Sequence, residues 1–150
     1  MSNAQDYILV VDDDPSIREL VTFQLDFLEF TTRATGDPEE ALDLVRSEDG
    51  PAVVLLDIEM PNASGLEILK KIKQTDVREV QVIMVSGLQD IGTVRQCLQA
   101  GAYDYLAKPF ELEDLHNTTE RAFERRELRL DNRRYHENLE RMVGEQTDEI

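Results

Sequence analysis

Three carboxylates, a hydroxyl and an amine stand at positions from which they could work together. Asp57 closes the apolar run Val53-Val54-Leu55-Leu56, and Pro61, Asn62 and Gly65 break the chain just after it. A run this short and apolar reads as a strand buried on both faces, as in a parallel sheet. Asp57 then sits where a central strand leaves the core, and in open α/β sheets ligands bind at the carboxyl ends of the strands. A carboxylate there can ligate a metal, act as a nucleophile, or merely cap the next turn. Asp12, Asp13 and Asp14 end a second apolar run, Tyr7 to Val11. Asp14 and Pro15 form a good helix start, N-cap followed by proline, which leaves Asp12 and Asp13 unexplained by capping. Two unit charges 4 Å apart repel by about 4 kcal/mol at an effective dielectric of 20. A cation, a lysine or helix amides must compensate.

Two further apolar runs end in polar residues. Val80 to Val85 leads into Ser86-Gly87, and Tyr103 to Ala107 leads into Lys108-Pro109-Phe110. Asp12, Asp13 and Asp57 together would make an oxygen-rich cluster suited to Mg²⁺, which keeps several waters and takes few carboxylates. Lys108 offers a compensating charge, Ser86 a hydroxyl, and Gly87 leaves room for a group as large as a phosphoryl. A carboxylate beside a metal and a lysine can attack phosphorus to give an aspartyl-phosphate. Metal and amine would neutralise the equatorial oxygens during in-line attack. The plainer alternative has Asp57 capping a turn, the Asp triplet capping a helix, and Lys108 in an ordinary ion pair.

The elements that must position these residues follow from hydrophobic period. Ile17, Leu20, Val21, Gln24, Leu25 and Leu28 have helical spacing after Pro15. Phe30 to Ala34 reads as a short, more polar edge strand. Gly36-Asp37-Pro38 opens a second helix with Ala41, Leu42, Leu44 and Val45 as its stripe, ending near Gly50-Pro51. A third helix starts at Gly65 with Leu66, Ile68, Leu69 and Ile72. A fourth runs from Asp90 to Ala100 with Ile91, Val94, Cys97 and Leu98, and a fifth begins near Leu112. Strands alternating with helices at short spacing predict an α/β, doubly wound five-stranded parallel sheet. The expected flavodoxin-like order is 2-1-3-4-5, whose reversal point lies between the strands ending in Asp12-Asp13 and in Asp57.

Composition narrows the partners. A net charge of −16 over 150 residues argues against direct nucleic-acid binding, which needs clustered Lys and Arg, and against an anionic membrane surface. No stretch approaches the ~20 apolar residues of a membrane span, and no basic start with an apolar run marks a signal peptide; a cytoplasmic location is expected. The one cysteine, Cys97, lies in an apolar helical pattern and is expected to be buried. His116 and His136 lack a second ligand at metal spacing and are assigned to the surface.

Ile8 to Asp14, Asp57 with Met60-Pro61 and Gly65, Ser86-Gly87, and Lys108-Pro109-Phe110 resemble the receiver domain of two-component response regulators, over roughly residues 7 to 120. The resemblance implies that Asp57 is the phospho-acceptor. It implies that Asp13, Asp57 and the backbone carbonyl of Glu59 bind Mg²⁺ directly, with Asp12 acting through bound water. Lys108, behind a cis peptide to Pro109, would pair with the phosphoryl group, and Ser86 would donate to it. Tyr105 would swing inward behind Ser86, altering the surface of the fourth helix, fifth strand and fifth helix. Ser86 stands where threonine is common, and Glu59 and Leu88 stand at the positions flanking the hydrolytic water.

Residues 6–122 are therefore expected to form the receiver, and 123–150 a helical linker or coiled-coil extension toward an output domain outside this chain. Residues 123–150 carry no proline and are rich in Glu, Arg and Leu. Leu128, Tyr135 and Met142 at d, with Asn132, Leu139 and Gln146 at a, make a weak parallel seam, and Glu137 and Arg141 have i, i+4 spacing. A homodimer through this helix is expected. The functional expectation is a phosphorylation-controlled switch charged by a histidine kinase, self-catalysing but without separate substrate turnover. The competing readings are a Mg²⁺-dependent aspartyl-nucleophile phosphohydrolase and a phosphorylation-independent dimerisation module.

Overall fold

The computed structural model describes residues 6–61, 63–75, 78–87 and 91–148. Five strands form one parallel sheet: β1 (Ile8–Val11), β2 (Thr32–Thr35), β3 (Val53–Asp57), β6 (Gln81–Ser86) and β7 (Asp104–Ala107). Between β3 and β6, β4 (Glu59–Met60) and β5 (Ala63–Ser64) pair as a small antiparallel ribbon that sequence period did not reveal. The helices are α1 (Pro15–Phe27), α2 (Pro38–Arg46), α3 (Gly65–Thr75), α4 (Ile91–Gln99) and α5 (Leu112–Asp148). The sheet order is β2-β1-β3-β6-β7. Counting only those five strands, this is the expected 2-1-3-4-5 arrangement.

Alternation along each central strand explains the apolar runs. Leu9, Val11, Val54, Leu56, Val82 and Met84 point to one face, against Leu42, Val45, Ile68, Leu69, Ile72, Val94 and Cys97 of α2, α3 and α4. Ile8, Val10, Val53, Leu55, Ile83 and Val85 point to the other, against Val21 and Leu25 of α1 and Leu115, Ala122 and Phe123 of α5. Both faces are covered, so neither can carry the polar alternation of a half-exposed sheet. Truncating a side chain such as Leu55 to alanine in such a core costs about 2–5 kcal/mol.

Three helical stripes are narrower than their sequence pattern. α1 buries Val21 and Leu25, but Leu20 is exposed, and so are Phe23 and Phe27. Leu20 and Val21 lie about 100° apart on the helix, and the face that packs on the sheet takes only the second. In α2, Ala41, Leu42 and Val45 are buried and Leu44 is only partly so; the helix ends at Arg46, before Gly50. In α4, Val94 and Cys97 are buried, while Ile91 and Leu98 face outward. The Asp90 start and Asn62 lie outside the described residues. β2 starts two residues later than the pattern suggested and ends one later; Phe30 lies outside the strand and stacks on Phe123 of α5, centroids 5.7 Å apart.

α5 continues unbroken to Asp148, far beyond the sheet. Arg141 bonds Asn138 Oδ1 at 3.3 Å rather than Glu137. An exposed i, i+4 pair is worth only a few tenths of a kcal/mol, about 0.3–0.5, so nothing compels its geometry.

Candidate functional site

The polar strand ends meet at one rim because parallel register aligns them. Val11 is level with Leu56, Asp57 with Val85, and Ser86 with Ala107. One residue past β1 lies Asp12, and one past β7 lies Lys108. Oxygens of Asp12, Asp13 and Asp57 lie within 4.8 Å of one another. Asp12 and Asp57 are buried, whereas Asp13 is exposed. Lys108 Nζ stands 3.4 Å from Asp12 Oδ2 and 3.6 Å from Asp57 Oδ1. The Lys108–Pro109 peptide is cis.

The local backbone is tied to the same groups. Asp14 caps α1 as its sequence suggested, accepting from Ser16 N at 2.9 Å. Asp12 does not cap the helix, but its Oδ1 accepts from the N–H of the N-cap residue, Asp14, at 2.9 Å, an Asx turn just ahead of α1. Its carbonyl accepts from Arg18 Nη1 at 2.7 Å, a contact that sequence reasoning missed. Asp57 Oδ1 accepts from Glu59 N at 3.2 Å. Ser86 is buried, and its carbonyl accepts from Lys108 N at 2.7 Å, which fastens the end of β6 to the lysine loop. A Cβ on Gly87 would meet nothing within 4 Å, so the space beside Ser86 is open.

Gly65 does more than turn the chain. A Cβ there would come within 2.6 Å of the Asp57 carbonyl and 2.8 Å of Ile58 Cα. Its N–H donates to Ile58 O at 3.2 Å. Only a residue without Cβ lets α3 start this close to the strand end.

Burial is the main influence on Asp57 and pushes its pKa up from 3.8 to about 6. Lys108 pulls it back, Asp12 adds to the rise, the Glu59 amide lowers it and Asp13 raises it. Three oxygen donors close together, with more negative charge than one lysine balances, suit a hard divalent cation. Around one such ion at 2.0–2.1 Å, ligand oxygens stand roughly 3 to 4 Å apart, so the carboxylates would need to close only slightly.

Two hollows flank the rim. One of about 590 Å³ is lined by Asp13, Glu59, Met60, Pro61, Ala63, Ser64 and Thr93. The other, about 410 Å³, is lined by Ser86, Gly87, Ile91, Val94, Leu98 and Tyr105. Tyr105 is 45% exposed. Leu88 lies outside the described residues, and Glu59 is exposed. His116 sits 3.8 Å from Glu120 on the surface of α5.

The family model "Response regulator receiver domain" matches residues 8–120. The C4-dicarboxylate transport transcriptional regulatory protein DctD of Pseudomonas aeruginosa is 37% identical over 131 residues, 87% of this chain and 28% of that protein. The response regulator MprA of Mycolicibacterium vanbaalenii is 39% identical over 108 residues, 72% of this chain and 46% of that protein. This chain thus spans less than half the length of these curated relatives. Among solved structures, the receiver domain of NtrX from Brucella abortus superposes with a TM-score of 0.73 at 38% identity, covering 78% of this chain and 98% of that one. A CheY-like receiver domain protein from Methanospirillum hungatei gives 0.75 at 27% identity, covering 83% and 98%. With a family match over most of the chain and these superpositions, the chain belongs to the receiver domains of two-component response regulators.

Proposed function

We propose that Asp57 accepts a phosphoryl group from a partner histidine kinase and that the change is read out along α5. The observation that carries this reading is the trio of carboxylates within 4.8 Å with Lys108 beside two of them. Asp13, Asp57 and the Glu59 carbonyl would hold Mg²⁺, with Asp12 acting through water; when bound, the ion supplies positive charge to the transferring group's oxygens. Asp57, ionised, attacks phosphorus in line. The P–N bond to the donor imidazole breaks, and its electron pair stays on the nitrogen, leaving an acyl phosphate on Asp57. Lys108 Nζ, already 3.6 Å from the acceptor carboxylate, stabilises the phosphoryl oxygens. Ser86 rotates its hydroxyl toward them, in the space that Gly87 leaves open.

Readout follows from the second hollow. Ser86 and Tyr105 line it together, so displacement of the first frees volume that the half-exposed tyrosine ring can enter. That remodels the surface of α4, β7 and α5. The output is assigned to a module outside this chain, which the greater length of the relatives supports.

Incubation with acetyl phosphate and Mg²⁺ tests the acceptor. One phosphoryl group per chain is expected by intact mass, and none in Asp57→Asn; undiminished labelling of that variant overturns the assignment. Rapid release of phosphate from varied small phosphomonoesters would instead favour the phosphohydrolase reading.

A further inference from the structure

A hollow rich in basic side chains lies at the amino ends of the strands, in a chain whose net charge is −16. Its volume is about 430 Å³, and Lys73, Glu79, Gln81, Tyr103, Arg125 and Arg129 line it. That size falls within the roughly 300–1,000 Å³ of small-molecule sites. Gln81 begins β6 and Ser86 ends it, so the hollow and the Asp57 rim lie at opposite poles. Two of the three cations have structural work. Lys73 Nζ donates to Val80 O at 3.0 Å, and its stem packs on Gly101, where a Cβ would come within 3.4 Å of Lys73 Cγ and Cε. Arg129 gives its Nε to Glu79 Oε2 at 2.6 Å, and its two Nη groups make no hydrogen bond among the described residues. Arg125 has no hydrogen bond or ion pair at all among them. Arg125, Arg129 and Arg133 stand four apart, which puts them on one face of α5, where like charges repel. Glu79 reaches only the last two.

We propose that this hollow binds a small phosphate-bearing anion, held by the guanidinium groups of Arg125 and Arg129, and that its occupant ties α5 to the receiver body. A second anion is what the arginine row lacks. Side chains one turn apart have Cβ atoms about 5–6 Å from each other, close enough for one ligand group to meet both. A carboxylate offers two oxygens and one charge. A phosphate monoester offers three terminal oxygens and nearly two charges at neutral pH, and its geometry suits the planar fork of arginine. A lone phosphate would leave most of 430 Å³ unfilled; the space walled by Gln81, Tyr103 and the Lys73 stem takes the rest of the molecule. The walls belong to α3, to the start of β6, to the turn after α4 and to α5. An occupant touching them therefore stiffens the root of α5. None of this draws on phosphoryl transfer at Asp57, so the two readings fail separately.

Calorimetric titration of the full chain and of its Asp57→Asn variant, free of divalent ions and at matched ionic strength, reads the site. The probes are inorganic pyrophosphate and AMP. One molecule per chain is expected, with a dissociation constant on the order of 0.1–1 mM for the tighter probe, and the same value in both proteins. Which probe binds tighter names the source, inorganic or nucleotide. Arg125→Ala, at an exposed position, should weaken binding at least tenfold. Arg125→Lys should weaken it less, because lysine keeps the charge and loses the fork. Arg141→Ala, four turns further along α5, should change nothing. Amide exchange over residues 121–133 should slow about threefold or more on saturation, and should not respond in Arg125→Ala. No binding of either probe at about 10 mM, ten times the upper bound, overturns the proposal. So does binding that survives Arg125→Ala undiminished, that Arg141→Ala weakens equally, or that disappears in Asp57→Asn.

Discussion

Asp57 is held in a state that the folded protein itself disfavours. Its carboxyl titrates near 3.8 in the unfolded chain and at about 6 in the fold. Between those values the folded state keeps a proton that the unfolded state releases, so stability falls as pH rises through this window. At 1.36 kcal/mol per unit the deficit above pH 6 is about 3 kcal/mol. Asp57→Asn should therefore stabilise the cation-free protein at pH 7 by up to about 3 kcal/mol, with the gain gone near pH 4. Urea unfolding in EDTA at both pH values measures it; equal stabilities at pH 7 would contradict the burial account. A bound divalent cation reverses the sign, because it favours the ionised carboxylate. Mg²⁺ affinity should then rise as pH passes through 6, which calorimetry at pH 5 and 7.5 would show. Gly65→Ala should cost about 1–3 kcal/mol by overpacking, since the backbone it meets is the Asp57 carbonyl. Its lesion should appear in phosphorylation rate as well as melting temperature, because the strand end must shift.

Among the elements, the link between the receiver body and α5 is the least expected. Glu79 has φ of +57°, a left-handed conformation that costs a side-chain-bearing residue about 1 kcal/mol or more, and Arg129 and Arg133 both reach its carboxylate. Glu79→Ala loses the arginine contacts and keeps the strain; Glu79→Gly loses the contacts and relieves it. The alanine variant should be the less stable by about 1 kcal/mol, and in both variants amide exchange over residues 124–135 should quicken. If alanine equals glycine in denaturant midpoint, the backbone is not strained there. The strands and helices themselves were legible in hydrophobic period, because burial on both sheet faces leaves continuous apolar runs. Leu20 and Ile91 were misread as inward, since a pattern gives spacing but not how wide a face the sheet accepts. The ribbon of β4 and β5 was illegible because two-residue strands carry no period. Glu79 with Arg129 was illegible because it joins residues 50 apart in the chain.

Taken whole, the molecule carries excess negative charge, −16, and gathers three of its carboxylates within 4.8 Å at the rim. Mg²⁺ at 100 times its dissociation constant should add about 2.7 kcal/mol, and less in Asp57→Asn; thermal unfolding with and without the ion checks both. The rim residues Asp12, Asp13, Asp57, Ser86 and Lys108 could be found from sequence because each follows an apolar run and parallel register does the rest. Arg18 on the Asp12 carbonyl and the Cβ-free approach of Gly65 could not, since they depend on how closely helices seat.

β6 belongs to both ends of the receiver. Its six residues begin two positions after Glu79 and finish at Ser86. At about 3.3 Å per residue it spans roughly 20 Å, with no loop between the arginine anchorage and the phosphoryl pole. If the serine moves as proposed, the pull would run along one buried covalent strut that begins beside the residue paired with the projecting helix. On the proposed mechanism, the strand that bears the serine would also moor the helix that has to move.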